Sequence, residues 1–331
     1  MRPIRKILVA VKQPSARALP AVDKAVQLAR AFGASIELYH SITERVLADP
    51  YADYLNYMAD YERETQERYA SEIEAVAAAL RKRGVTAHAT ADWDYPAHEA
   101  IVRRARRDDI DLIVAECHAT KRKSAPWLLH LTDWELLKTS PVPVLLVKNA
   151  NPWKKKPLIL AALDPAHVQA QRAGLDSEIL TVASTFSETL GGSLEAMHSF
   201  EPIPPTVLMG LGATGTMPSE VAAEYEKNAK KLLQDALARA GKNQVPRHLV
   251  AGKPTAAIPE VAAETGCSIL VMGAVSRSGL KRVFIGNTAE RVLDALPCDV
   301  LVVKPPSFRS SVSERSRGIR YVGLPDRLFP H

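Results

Sequence analysis

Cysteine is scarce in this chain, with Cys117, Cys267 and Cys298 the three present and no CxxC pair among them. That count excludes a disulfide framework and a thiolate zinc site, and it fits a reducing cytoplasm. Long apolar runs are missing too: Ile7 to Val11 and Val300 to Val303 each stop at a lysine, far short of the roughly 20 residues of a membrane-spanning helix. Arg2, Arg5 and Lys6 ahead of Ile7 imitate a secretory leader. The apolar part is shorter than the ~7 to 15 residues a leader needs, so it reads as a first strand. No HExxH, GxSxG or Walker loop occurs, which leaves metalloprotease, α/β-hydrolase and P-loop ATPase chemistry without support.

What is present is ordinary globular material, 47% hydrophobic and 24% charged over 331 residues. At about 150 residues per domain, this length predicts two domains. Lysine and arginine exceed the acids by 6, with a sequence pI of about 9.1. Part of the excess is local. From Phe308 onward the chain carries Arg309, Arg315, Arg317, Arg320 and Arg327 among serines, prolines and glycine. This segment, 307–331, reads as a solvated, flexible basic tail, with a weak contact to nucleic acid or an acidic partner as the alternative.

Short β-branched runs alternate with helix-period segments in both halves. In the first, strands are predicted at Ile7 to Val11, Ile36 to His40, Val85 to Thr90, Leu112 to Ala115 and Val142 to Val147. Helices fall at Leu19 to Phe32, about Asp53 to Arg83, His98 to Arg107 and around Trp134 to Leu137. A connector at 149–157, with two prolines and three lysines, reads as a linker. The order then repeats, with strands at Leu158 to Leu163, Leu194 to His198, Val245 to Val250, Ile269 to Met272 and Val300 to Val303. Residues 141–148, PVPVLLVK, answer 297–304, PCDVLVVK. The chain is thus an internal duplication, with domains at 1–148 and 158–306. Each is α/β, a mostly parallel five-stranded sheet with helices on both faces. Ligands in such sheets sit beyond the carboxyl ends of the strands.

The stretch after Met272, from Gly273 to Glu290, carries Gly273 and Gly286 in a loop that leads into a helix starting near Thr288. Glycines permit close backbone approach, and a helix N-terminus offers unpaired N–H groups to an anion, which makes a phosphate cradle. Arg277, Lys281 and Arg282 add positive charge. Asn287 followed by Glu290 also makes a capping-box-like start that accounts for these residues without a ligand.

With these residues in view, the sequence resembles the universal stress protein family, in its tandem-domain E type. The likeness rests on the opening strands at 6–11 and 158–164 and on the closing run from Gly286 to Lys304, and it covers about residues 1 to 306. It implies Rossmann-like domains of the adenine nucleotide alpha hydrolase-like kind and a cytoplasmic stress-resistance role. It also implies an ATP-binding module, Mg-ATP included, with at most slow hydrolysis. Nucleotide-binding members carry Gly, two residues, Gly, nine residues, Gly, then Ser or Thr, with an Asp closing the first strand. Here that pattern lands on Gly273, Ser276, Gly286 and Asn287, with Thr288 and Arg277 beside them and Asp164 as the strand-closing acid. Ser276 and Asn287 depart from the pattern, although an Asn amide still donates to phosphate.

The first half departs further: Lys12, Glu116 and His130 stand where the second half has Asp164, Gly273 and Gly286. A carboxylate repels phosphate, so the resemblance implies a degenerate site there. It also implies an intramolecular pseudo-dimer built on the strands at 142–147 and 300–303. The competing expectation is a scaffold that takes no nucleotide and holds an apolar ligand or a partner protein between its domains.

Overall fold

The computed structural model describes residues 2–47, 53–117, 131–167, 174–201, 219–274, 291–293 and 295–322. Two compact units emerge, one of residues 2–150 joined by the tail from Ser310, the other of residues 151–309.

In the first unit, β1 (Lys6–Ala10), β2 (Ser35–Ile42), β4 (Ala87–Trp93), β5 (Leu112–Glu116) and β6 (Val144–Val147) form the order β4-β2-β1-β5-β6, every pairing parallel. Ile7, Leu8 and Val9 are each 0% exposed. Consecutive strand residues point to opposite faces, so both faces of the sheet are covered, which is why the strand reads as one apolar run. The covering helices are α1 (Pro20–Phe32), α2 (Asp53–Lys82), α3 (Ala97–Arg107) and α4 (Leu131–Thr139). Proline opens α1, where a missing N–H costs nothing, and Gly33 closes it at φ 67°, a left-handed turn suited to glycine. A short strand, β3 (Arg45–Leu47), leaves the end of β2.

The second unit repeats the plan. Strands β7 (Leu158–Ala162), β8 (Ser193–Phe200), β9 (Arg247–Ala251), β10 (Ile269–Gly273) and β11 (Asp299–Val303) take the order β11-β10-β7-β8-β9, again parallel. Helices α5 (Leu175–Thr189), α6 (Ser219–Arg239) and α7 (Pro254–Glu264) connect them. Strands β6 and β9 start about two residues later than predicted because Pro143 and Pro246 lack the ladder donor. In both units the central strand, β1 or β7, has its outward neighbours on either side, and the crevice beyond its carboxyl end is the topological switch point.

Up to Val322, the last of its described residues, the tail differs from the solvated, flexible segment expected of its composition. Residues Arg320–Val322 form β12, which pairs in parallel with β3, placing Tyr321 opposite Val46. Val312 is 7% exposed, and Ile319 and Tyr321 join Tyr61 and Trp93 in packing against the buried pair Val46 and Met58. Apolar residues spaced among the arginines supply the burial that a composition count does not register.

Candidate functional site

In the second unit, Asp164 lies two residues beyond β7, with its side chain exposed, and Gly273 ends the neighbouring strand β10. The peptide group that leads into Asp164 is held at both ends. Its carbonyl, on Leu163, accepts from Nδ1 of His198 at 3.1 Å, and its N–H, on Asp164, donates to Oδ1 of Asp176 at 3.2 Å. His198 comes from β8 and Asp176 from the first turn of α5, and they are 3% and 7% exposed. Burial pushes the Asp176 carboxyl above the ordinary range and the charge of Asp164 adds to the effect, against the opposing N–H bond. Its Oδ2 is buried without a hydrogen-bond partner.

Gly273 has a packing explanation. A Cβ built there meets Cγ of Leu175 at 2.7 Å, so the absent side chain makes room for the first residue of α5. Ser276, Arg277, Gly286, Asn287 and Thr288, which the sequence singled out, lie outside the described residues, as do Lys281 and Arg282. Of the nucleotide pattern, the structure therefore places Asp164 and Gly273 at adjacent strand ends. Asp176 and His198 were not anticipated. A sequence signal for the histidine exists: residues 37–41 read ELYHS and residues 195–199 read EAMHS.

The first unit contains a cavity of about 370 Å³ beyond the carboxyl ends of β1, β2 and β5, reaching the first turn of α4. Lys12, His40, Glu44, Glu116 and Asp133 line it, with Leu136 among the apolar residues of its wall. Two of the residues that depart from the nucleotide pattern, Lys12 and Glu116, thus face this space, while His130 lies outside the described residues. His40 repeats the bond of His198, its Nδ1 donating to the Val11 carbonyl at 2.8 Å, and its ring lies 4.3 Å from that of Tyr69. Burial pulls the His40 pKa down, which favours the neutral ring. Glu44 accepts from the hydroxyls of Tyr61 and Tyr69, both at 2.7 Å. Burial alone raises a carboxyl, but these two bonds and Arg68 outweigh it and hold Glu44 below its ordinary pKa. The Tyr69 hydroxyl is pushed up to about 12, chiefly by its bond to Glu44.

Among the described residues no group of three or more histidines, cysteines or acids is disposed to hold a metal, and no helix is long and apolar enough to cross a membrane. The second-unit site accordingly offers an exposed carboxylate, suited to accept from hydroxyl or amine donors of a ligand. The first-unit cavity sets three carboxylates against one lysine.

The model of the Universal stress protein family matches residues 3–148 and again 161–304. Universal stress protein E of Escherichia coli strain K12 is 28% identical over 232 residues, spanning 66% of this chain and 69% of that one. Among solved structures, a functionally unknown protein from Pseudomonas aeruginosa aligns with a TM-score of 0.64 and 25% identity, covering 92% of this chain and 93% of that one. A universal stress protein from Archaeoglobus fulgidus aligns with a TM-score of 0.56 and 18% identity, covering 91% and 97%.

Proposed function

Because the chain belongs to the universal stress protein family, carrying two of its domains in tandem, we propose that it is a cytoplasmic stress-resistance protein whose second unit binds ATP as its magnesium complex. The observation that carries this is Asp164, an exposed carboxylate two residues past the central strand β7, at the switch point where α/β sheets take their ligands. From there it accepts from the ribose hydroxyls or the adenine amine. The loop with Ser276, Arg277, Gly286, Asn287 and Thr288 belongs to the same proposal as the phosphate cradle, by likeness to nucleotide-binding members. Magnesium would enter with the nucleotide, neutralising its phosphates.

Calorimetric titration of the full chain with Mg-ATP tests this. About one molecule bound per chain is expected, with an affinity at least tenfold weaker in Asp164→Ala. Absence of binding heat across the titration, confirmed by equilibrium dialysis, overturns it.

The first-unit cavity favours a second role, a scaffold that takes a small molecule without phosphate. Glu116 and Asp133 line this space, and two carboxylates disfavour a polyanion. Native mass spectrometry of the purified chain is expected to show a bound molecule that Glu116→Ala or Leu136→Ala loses. Bare mass in every preparation, with no small molecule retained on screening, counts against this role.

A further inference from the structure

We propose that Asp176 and His198 are positioning residues for Asp164, gripping from both ends the peptide group that precedes it and so fixing the direction in which its carboxylate is presented. The inference rests on the assignment of Asp164 to the nucleotide site, and extends it to two residues that act through Asp164.

The geometry is specific to one peptide group. A carbonyl can only accept, so the His198 bond at 3.1 Å requires hydrogen on Nδ1, and the N–H of the same group donates to Asp176 at 3.2 Å. Leu163 is further tied to β8 through its own N–H, which donates to the Met197 carbonyl at 2.9 Å. Both gripping side chains are more than nine-tenths buried, so the His198 bond is shielded from bulk water and the Asp176 bond is shielded on its acceptor side, and each holds its partner more firmly than a fully exposed bond does. Asp164 itself is exposed. The result is a mobile-looking position, just past a strand, whose backbone is anchored from within while its side chain faces out. That is the arrangement expected of a group whose placement matters to within a fraction of an ångström.

The duplication supplies an internal control. In the first unit His40 makes the same bond to the Val11 carbonyl, at 2.8 Å, and Val11 is tied to Tyr39 as Leu163 is to Met197. The histidine half of the grip is therefore common to both copies and closes a strand end. The next residue there is Lys12, and among the described residues no carboxylate accepts from its N–H. The carboxylate half is found where the presented residue is an acid. A device that merely finished the strand has no reason to differ between the copies.

Asp176 also keeps a buried oxygen, Oδ2, without a partner, a costly feature in a residue that served only to stabilise the fold. The charged groups that act on it are Asp164 from the loop after β7, His198 from β8 and Arg239 from α6.

Two measurements on the full chain separate the grip from its purpose. Amide hydrogen exchange of Asp164, followed by NMR without ligand, is expected to quicken about tenfold or more in Asp176→Leu and to stay near wild type in Asp176→Asn, which keeps an acceptor oxygen. Mg-ATP affinity is expected to fall about tenfold in Asp176→Leu and to be restored in Asp176→Asn. His198→Ala, with His198→Gln as its rescue, provides the same pair of readings if Asp176→Leu does not fold. Unchanged exchange at Asp164 in a folded Asp176→Leu chain overturns the grip. Faster exchange with unchanged Mg-ATP affinity overturns the positioning role. A wild-type chain that binds no Mg-ATP overturns the nucleotide assignment and the positioning role with it, while the exchange data still decide whether the grip exists.

Discussion

The backbone N–H of Arg317 donates to Oδ1 of Asp94 at 3.0 Å, across 223 positions of sequence. The same carboxylate receives Nε and Nη2 of Arg103, both at 2.7 Å, in a pair whose side chains are each 6% exposed. Around this centre Arg317 reaches Glu99 at 2.9 Å, Arg106 donates to the Val312 carbonyl at 3.0 Å, and Tyr321 donates to Glu62 at 2.7 Å. One of the arginines that give the tail its basic character, Arg317, is thereby engaged with the first unit through both its backbone and its side chain, leaving a weaker footing for nucleic acid there.

Asp94→Ala removes the two-point carboxylate partner of a buried guanidinium that keeps Glu99 at 3.0 Å, so the cost stays below the ~3 to 5 kcal/mol of a buried charge left wholly unpaired, at about 2 to 3 kcal/mol. The expected outcome is a chain destabilised to that extent in urea, with trypsin cutting at Arg315 and Arg317 before any other site. A variant as stable as the wild type, with an uncut tail, contradicts this account of the centre.

Gly273→Ala places a methyl group against Cδ2 and Cγ of Leu175, closer than van der Waals contact allows. Overpacking of this kind costs about 1 to 3 kcal/mol, and Gly273→Ala with Leu175→Ala is expected to recover part of the loss. Should the single variant unfold at the wild-type urea midpoint, the packing explanation is wrong. Nucleotide affinities of Gly273 variants therefore need a stability measurement beside them.

Lys304, just beyond β11, is 8% exposed, with its Nζ 4.8 Å from the centre of the Phe308 ring. Burial pulls its pKa from 10.5 down to about 7. A lowered folded-state pKa means that the unfolded chain holds more protons between these values, so this residue's contribution is fully present above 10.5 and declines as pH falls to about 7. Lys304→Met removes that dependence. Its melting temperature relative to wild type is expected to climb from pH 10 towards pH 7 and then level off, whereas a constant offset across that range refutes the assignment.

Glu44 holds the hydroxyls of Tyr61 and Tyr69 and raises the pKa of both. In Glu44→Gln these two tyrosines are expected to ionise closer to pH 10, seen as increased absorbance at 295 nm near pH 11 in the folded protein. An identical titration curve for variant and wild type rules out this network in solution.

Much of the architecture is legible in the order of residues. The runs at Ile7 to Val11 and Leu158 to Leu163, buried on both faces, announce central parallel strands, and Pro20 and Gly33 bound α1 as local backbone preferences require. The repeated PVPVLLVK and PCDVLVVK segments reveal the duplication. Such features follow from periodicity and turn chemistry, which act over a few residues and leave a local imprint. Asp164 is reached instead through the family resemblance, and it lies two residues past β7, beside the strand that Gly273 ends.

Other features needed the folded chain. Strands β3 and β12 have three residues each, too few for any alternation to register, and their pairing joins segments that nothing local connects. Leu175 explains Gly273 only because α5 returns to β10, and Asp176 meets His198 at one peptide group only because a helix and a strand converge there. The sequence determined which stretches become strand or helix and that the plan occurs twice. Which distant side chains share a buried bond was decided by tertiary packing, since close packing and hydrogen-bond satisfaction are properties of neighbours in space, and a linear order does not specify those neighbours until the fold has formed.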